Sequence, residues 1–252
     1  TGAGKPGGFC VFYRKENNMS FKKVSNQIML ITYADSMGKN LKELEEILTT
    51  QVKGAIGGLH ILPFFPSSAD RGFAPMTYRE VDPAFGDWED IERLASKYYL
   101  MYDYMINHVS AHSPEYLDYL EKKDESEYRD FFIRFRDFWE NGYPTQEQLE
   151  KIYKRKAGGP SVKAEFADGS SELIWSTFSS EQIDLDCNQP KVKEFIRKNL
   201  EFLAKHGAAL IRLDAFGYAT KKPGTNCFFL EPEVWDLLKE TQDMMASYGI
   251  KA

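Results

Sequence analysis

The stretch AALIRLDAFGY, residues 208–218, is apolar except for an arginine and an aspartate two positions apart, Arg212 and Asp214. Its Ala, Leu and Ile content predicts a buried strand, and side chains on a strand alternate between faces, so Arg212 and Asp214 share one face. An opposite-charge pair in such a place is either a structural ion pair or a group delivered to a site. Three further apolar runs precede it, IMLITYA (28–34), IGGLHILPFF (56–65) and YYLMYDYMIN (98–107).

Helical spacing fills the intervals. Leu41, Leu44, Ile47 and Leu48 mark one apolar face, and Trp88, Ile91, Leu94, Ala95 and Tyr98 a second, with Asp87 as N-cap. Val192, Phe195, Ile196, Leu200 and Leu203 mark a third, with Pro190 in its first turn and Gly207 past its end. Val234, Trp235, Leu238 and Met245 mark a fourth, opened by Pro232 and closed near Gly249. Near-continuous apolar strands alternating with helices predict an α/β fold with a parallel sheet covered by helices. A doubly wound sheet and a (β/α)8 TIM barrel both satisfy the pattern. The barrel is favoured, because no Gly-rich phosphate turn follows the first strand. Polar residues also gather at the C-terminal strand ends, where barrels keep their active sites.

Between Asn107 and Pro190 the chain is far longer than the ~12–15 residues at which structureless loops become rare. That interval carries EYRDFFIRFRDFWENGYPT and KAGGPSVKAEFADGSSELIWSTF, which predict a subdomain with a helical start and short strands. The expected partition is a leader over 1–25, the first three barrel strands over 26–107, an inserted domain over 108–186 and the barrel continuation over 187–252. The closing IKA reads as the start of a fifth strand, so the 252 residues are expected to be the N-terminal part of a longer protein. The leader contains Gly2-x-Gly4-x-x-Gly7, but no strand precedes it and Pro6 interrupts it, so it is not a dinucleotide site. It lacks the features of a signal peptide, and Met19 is an expected natural start.

A net charge of -6, with no basic block, argues against a nucleic-acid partner. The apolar runs are too short for a membrane helix. The three cysteines, Cys10, Cys187 and Cys227, have neither metal-ligand nor disulfide-framework spacing, which fits a reducing, cytoplasmic setting. No cofactor and no metal site are expected.

Polar clusters follow three of the strands: Asp70, Arg71, Gly72 and Phe73 after the second, Asp103, Asn107 and His108 at the third, Arg212 and Asp214 at the fourth. On a barrel these ends meet on one rim. Arg212 is expected to lower the pKa of Asp214 and keep it ionised. An ionised, held carboxylate is what a covalent nucleophile in glycosyl transfer requires. Taken singly, His108 and Asp103 also read as structural hydrogen-bonders, and Phe64, Phe65 and Phe73 as core.

Asp103-x-x-x-Asn107-His108 and Arg212-x-Asp214-Ala215, in this order and around an insertion, resemble two signature regions of glycoside hydrolase family 13, the α-amylase family. ITYADSMG, HILPFFPSSADRGFAPMTY, VDPAFGDWEDI, YYLMYDYMINH, EQIDLD and LIRLDAFGYATKKPGTN narrow the resemblance, from about residue 26 onward, to the branch that moves glucose from sucrose to phosphate. It implies a retaining transfer through a covalent β-glucosyl-enzyme intermediate, with sucrose and inorganic phosphate as partners and glucose 1-phosphate and fructose as products. Asp214 would be the nucleophile and Arg212 the group that orients and ionises it. His108 and Asp70 would bind glucosyl hydroxyls, and Phe73 would wall the ring. Phe178, Gln182 and Tyr218 would lie towards the acceptor, with Arg155 and Lys156 either drawing phosphate in or forming a solvated basic loop. Asn107 is a calcium ligand in many amylases, yet this branch is not expected to need the metal. Family members often dimerise, so a homodimer is an expectation.

The resemblance also implies an acid/base glutamate after the fifth strand and a transition-state aspartate after the seventh. Neither position falls within these residues, so the chain taken alone is expected to be inactive. Sucrose 6′-phosphate as donor, hydrolysis or transglucosylation, and a non-catalytic binding barrel are the alternative readings.

Overall fold

A computed structural model describes residues 20–250. Its elements, in chain order, are β1 (Met29–Thr32), α1 (Leu41–Thr50), β2 (Gly58–Ile61), α2 (Trp88–Lys97), β3 (Tyr99–Met105) and β4 (His108–Ser110). Then come α3 (Pro114–Lys122), α4 (Phe135–Phe138), α5 (Gln146–Lys151), β5 (Ser161–Glu165), β6 (Ser171–Trp175) and β7 (Gln182–Asp184). The last are α6 (Pro190–Lys205), β8 (Ala208–Asp214) and α7 (Glu233–Ser247).

Strands β1, β2, β3 and β8 form one parallel sheet in that order. Each connection carries a helix whose start is chemically marked. The Asn40 side chain accepts from the backbone N–H groups of Lys42 and Glu43 at the start of α1. Asp87 and Asp90 form a reciprocal capping box on α2. Pro190 opens α6, and Gly207, at φ +91°, closes it where a Cβ would lie 2.5 Å from that of Ala95. Leu44, Leu48, Ile91, Leu94, Leu200 and Leu203 on these helices join Leu59, Ile61, Leu100, Tyr102 and Ile211 of the strands in one buried core.

The strands are shorter than their apolar runs. β2 ends at Ile61 because Pro63 has no N–H to offer a ladder, while Phe64 and Phe65 beyond it are buried in the core. The other departure is a register shift between β3 and β8: Leu100 faces Ala208, but Met101 faces Leu210. The extra residue, Ala209, sets Asp103 beside Arg212 and Met105 beside Asp214. Without it a one-residue slip would turn the charge pair toward the helices.

Between β3 and α6 the chain leaves the sheet. β4 and β7 pair antiparallel at its exit and return, and β5 and β6 form an antiparallel hairpin. The hairpin and α4 share a separate apolar cluster of Phe135, Trp139, Ile152, Trp175 and Cys227.

The expected leader over 1–25 needs a correction at its end. Phe21 packs against the core beside Gly207, and the Lys22 N–H donates to the Ala95 carbonyl at 2.9 Å, because the end of α2 leaves that acceptor open. Residues 1–19, with Cys10, the glycine pattern and Met19, lie outside the described residues, as do 251–252 of the expected fifth strand. Ile250 is buried. Cys187 and Cys227 are buried free thiols. Among the described residues no helix is long and apolar enough to cross a membrane.

Candidate active site

Asp214 is the last residue of β8, and the chain turns away at once. Ala215 is in the left-handed region at φ 54°, and a 3-10 turn, Phe216–Tyr218, follows. Arg212 reaches Asp214 Oδ1 at 3.0 Å with one guanidinium nitrogen and Asp103 Oδ1 with the other. The Asp103 side chain is fully buried, and its Oδ2 accepts from His60 Nε2 at 2.8 Å. The pair in the apolar strand is therefore part of a four-residue chain, His60–Asp103–Arg212–Asp214, laid across three neighbouring strands.

The carboxyl of Asp214 does not behave as its neighbour alone suggests. Burial pushes its pKa up, and the pull of Arg212 and then of His108 does not offset it; the buried Asp103 carboxylate adds to the rise. The expectation of a lowered value is thus corrected. Arg212 acts in the expected direction, but the hydration that Asp214 loses on burial outweighs it.

A second group stands beside this chain. Asp70, Arg71 and Gly72 all have positive φ. A Cβ on Gly72 would lie 2.7 Å from the Pro63 carbonyl oxygen, so only glycine fits there. The turn is pinned by Ser67, whose hydroxyl donates to the carbonyls of Ala69 and Ala74 at 2.8 Å. Beyond it, the Phe73 carbonyl lies 2.9 Å from His108 Nε2 and accepts from Gln182 Nε2 at 3.1 Å. Gln182 Nε2 also reaches Asp70 Oδ2 at 3.3 Å. Gln182, expected towards the acceptor, thus meets Asp70, the Phe73 carbonyl and His108. Phe73 faces Arg212, whose guanidinium carbon is 5.8 Å from the ring centre. His108 is buried, which pushes its pKa down.

Phe178 bridges the two sets, with ring centres 5.4 Å from His108 and 5.0 Å from Tyr218. Tyr218, Tyr153 and Phe228 extend this aromatic wall. Arg155 lines a crevice with Tyr153, Thr177 and Tyr218. Lys156 is turned aside, donating to Ser176 Oγ at 2.8 Å, and burial lowers its pKa.

Three participants escaped the sequence reading. His60 lies between Leu59 and Ile61 in an apolar run, a polar group among apolar ones as Arg212 is between Ile211 and Leu213. Lys221 and Asp184 form an ion pair of 2.9 Å at 2% and 0% side-chain exposure. The ammonium of Lys221 also donates to Asn107 Oδ1 at 2.8 Å and to the Tyr218 carbonyl at 2.6 Å. The Asn107 oxygen that a metal would use is therefore occupied by a lysine. Among the described residues no group of three or more His, Cys, Asp or Glu is placed to hold a metal ion. A hollow of about 570 Å³ lies in the insertion beside Phe135, Tyr143 and Leu173, and none of these polar groups lines it.

The strand-end carboxylate of Asp214 is thus held by an arginine and stands near the buried His108 of β4. Residues 50–249 match the family model of the α-amylase catalytic domain, and the chain belongs to that family. Its four parallel strands are thus part of a (β/α)8 barrel.

Within the family the chain is similar to phosphorylases. It is 54% identical to the sucrose phosphorylase of Streptococcus mutans serotype c, over 90% of this chain and 47% of that protein. It is 42% identical to the glucosylglycerol phosphorylase of Marinobacter adhaerens, over 90% of this chain and 46% of that protein. The crystal structure of sucrose 6F-phosphate phosphorylase from Thermoanaerobacter thermosaccharolyticum superposes with a TM-score of 0.88 at 43% identity, covering 91% of this chain and 47% of that one. The chain spans about half the length of these relatives.

Proposed function

We propose that the protein is a cytoplasmic sucrose phosphorylase, moving glucose from sucrose to inorganic phosphate with retention. The observation that carries this is the state of Asp214. One carboxylate oxygen is held by Arg212 at 3.0 Å, at a strand end still open to a substrate. Among the described residues no second donor holds it, so its other oxygen is left to attack carbon.

In the first step Asp214 attacks the anomeric carbon, the bond to the fructosyl oxygen breaks, and that oxygen takes a proton from a second carboxyl. In the second step an oxygen of hydrogen phosphate attacks the anomeric carbon, the bond to Asp214 breaks, and the phosphate proton passes to the second carboxyl, giving α-glucose 1-phosphate. Two inversions make net retention. The second carboxyl would stand roughly 5–5.5 Å from the nucleophile, and no residue of this chain is assigned to it; the full-length polypeptide would supply it. Asp70, His108 and Gln182 would bind the glucosyl hydroxyls, Phe73 would wall the ring, and Phe178 and Tyr218 would face the acceptor beside Arg155. The relatives that use sucrose 6F-phosphate and glucosylglycerol favour, as a second reading, the same glucosyl chemistry with another partner.

The test incubates the full-length protein with phosphate and, separately, sucrose, sucrose 6′-phosphate or glucosylglycerol. Glucose 1-phosphate from sucrose at the highest kcat/KM is the expected result. Product from another donor alone would move the assignment to that donor, and product from none would overturn it.

A further inference from the structure

We propose that His60 is a positioning residue for the nucleophile, acting through Asp103 and Arg212 on Asp214. The inference rests on the reading of Asp214 as the attacking group and adds a residue three contacts away. His60 lies on β2, in register with Ile31 of β1 and Met101 of β3, so it stands on the sheet face that also carries Asp103, Arg212 and Asp214. It is 4% exposed among apolar neighbours, where an imidazole without a polar task would be costly.

Its Nε2 is 2.8 Å from Asp103 Oδ2, and Asp103 must accept, so Nε2 carries the proton. Asp103 is thereby held at both oxygens, by His60 on one side and by Arg212 on the other. Such a carboxylate cannot rotate without losing a bond at zero exposure. Arg212 needs that anchor. One of its guanidinium nitrogens is held by Asp103 and the other holds Asp214, so the anchoring of the first sets the aim of the second. Freeing Asp103 lets the guanidinium swing, and Asp214 loses the contact that aims its oxygen. Attack requires the reacting atoms within ~3–3.5 Å and aligned, so a small displacement removes most of the rate. Substrate binding depends on Asp70, His108 and Gln182, which do not touch His60 in any hydrogen bond described above.

The test compares His60→Leu with His60→Gln in the full-length protein. The Gln amide nitrogen sits about as far from Cα as Nε2 does and can still donate to Asp103. Expected for His60→Leu is a fall in kcat of about 10- to 100-fold with KM for the glucosyl donor little changed, and recovery of most of it in His60→Gln. A kcat for His60→Leu within twofold of wild type overturns the proposal. So does equal impairment of the two variants, which would mark a packing role.

A second readout does not need turnover: the titration of the Asp214 carboxyl followed by carbon NMR. Besides Asp103 and Arg212, His108 and Tyr78 act on that carboxyl and are unchanged in both variants. Loss of the Arg212 contact should move the Asp214 midpoint up in His60→Leu and leave it near wild type in His60→Gln. No movement in His60→Leu, or the same movement in both, overturns the relay. Should the wild-type protein show no phosphorolysis of any donor, the functional assignment fails, and this titration alone decides on His60. Should His60→Leu not fold, His60→Asn takes its place, since its amide is one bond too short to reach Asp103.

Discussion

Asp214 and Asp184 are both largely buried carboxyls beside a cation, yet their pKa values move in opposite directions. Burial raises both. At Asp184 it is outweighed by the Lys221 ammonium and by Thr177, whose hydroxyl donates at 2.6 Å and whose backbone N–H donates at 2.8 Å. At Asp214 one arginine is the only hydrogen-bond donor among the described residues. The number of donors, more than depth, decides the outcome. The sealed carboxylate ties β7 to the loop after β8 and, through Lys221, to Asn107. The under-donated one is left with reactivity.

The sharpest way to break this contrast is to neutralise each partner in turn. Asp214→Asn keeps the shape and an acceptor for Arg212 but removes the nucleophile. Glucosyl transfer by the full-length protein should fall by about 10⁴-fold or more. Its urea midpoint should hold or rise, because a carboxyl with a raised pKa works against the folded state at neutral pH. A variant that unfolds would instead make Arg212–Asp214 a structural ion pair.

Lys221→Met should do the reverse. It leaves the Asp184 charge at zero exposure without its cation and strips donors from Asn107 and the Tyr218 carbonyl. Breaking such a pair from one side costs about 3–5 kcal/mol, read from urea unfolding. A loss under about 1 kcal/mol would place it with ordinary surface pairs.

The same contrast shows what could be read from the chain. The four strands, their helices and the caps follow from periodicity and from Asp87, Pro190 and Gly207, because those signals are local. Asp214, Arg212 and His108 were legible as charges in apolar surroundings. Lys221 was not. It sits beside Lys222 in ATKKPGTN, and nothing local distinguishes the one at 2% side-chain exposure from the one at 64%. The bulge at Ala209 was equally hidden, since register belongs to a strand pair and not to either strand. The expected direction for Asp214 failed for the same reason: a neighbouring cation is visible in sequence, whereas lost hydration is not.

The smallest effect tests the donor count itself. Thr177→Val deletes the hydroxyl that donates to Asp184 but keeps the backbone N–H and the side-chain shape. A hydrogen bond to a charged group contributes about 1.5–3 kcal/mol, and the Trp175 indole N–H, 3.3 Å from that hydroxyl, also loses its acceptor. A deficit near 2 kcal/mol at pH 7 is expected. Only the first part depends on pH. Asp184 has a lowered folded pKa, so its stabilisation is present above the unfolded value of about 3.9 and is lost as pH falls through the folded one. With one donor fewer, the folded pKa of the variant lies nearer the unfolded value, so the variant loses its stabilisation first and has less to lose. The deficit should therefore narrow between pH 7 and about pH 3, by the Asp184 share alone. Urea unfolding at the two pH values measures it. A deficit of constant size would mean that the hydroxyl serves Trp175 and not the carboxylate, and that Lys221 and the backbone N–H hold Asp184 without it.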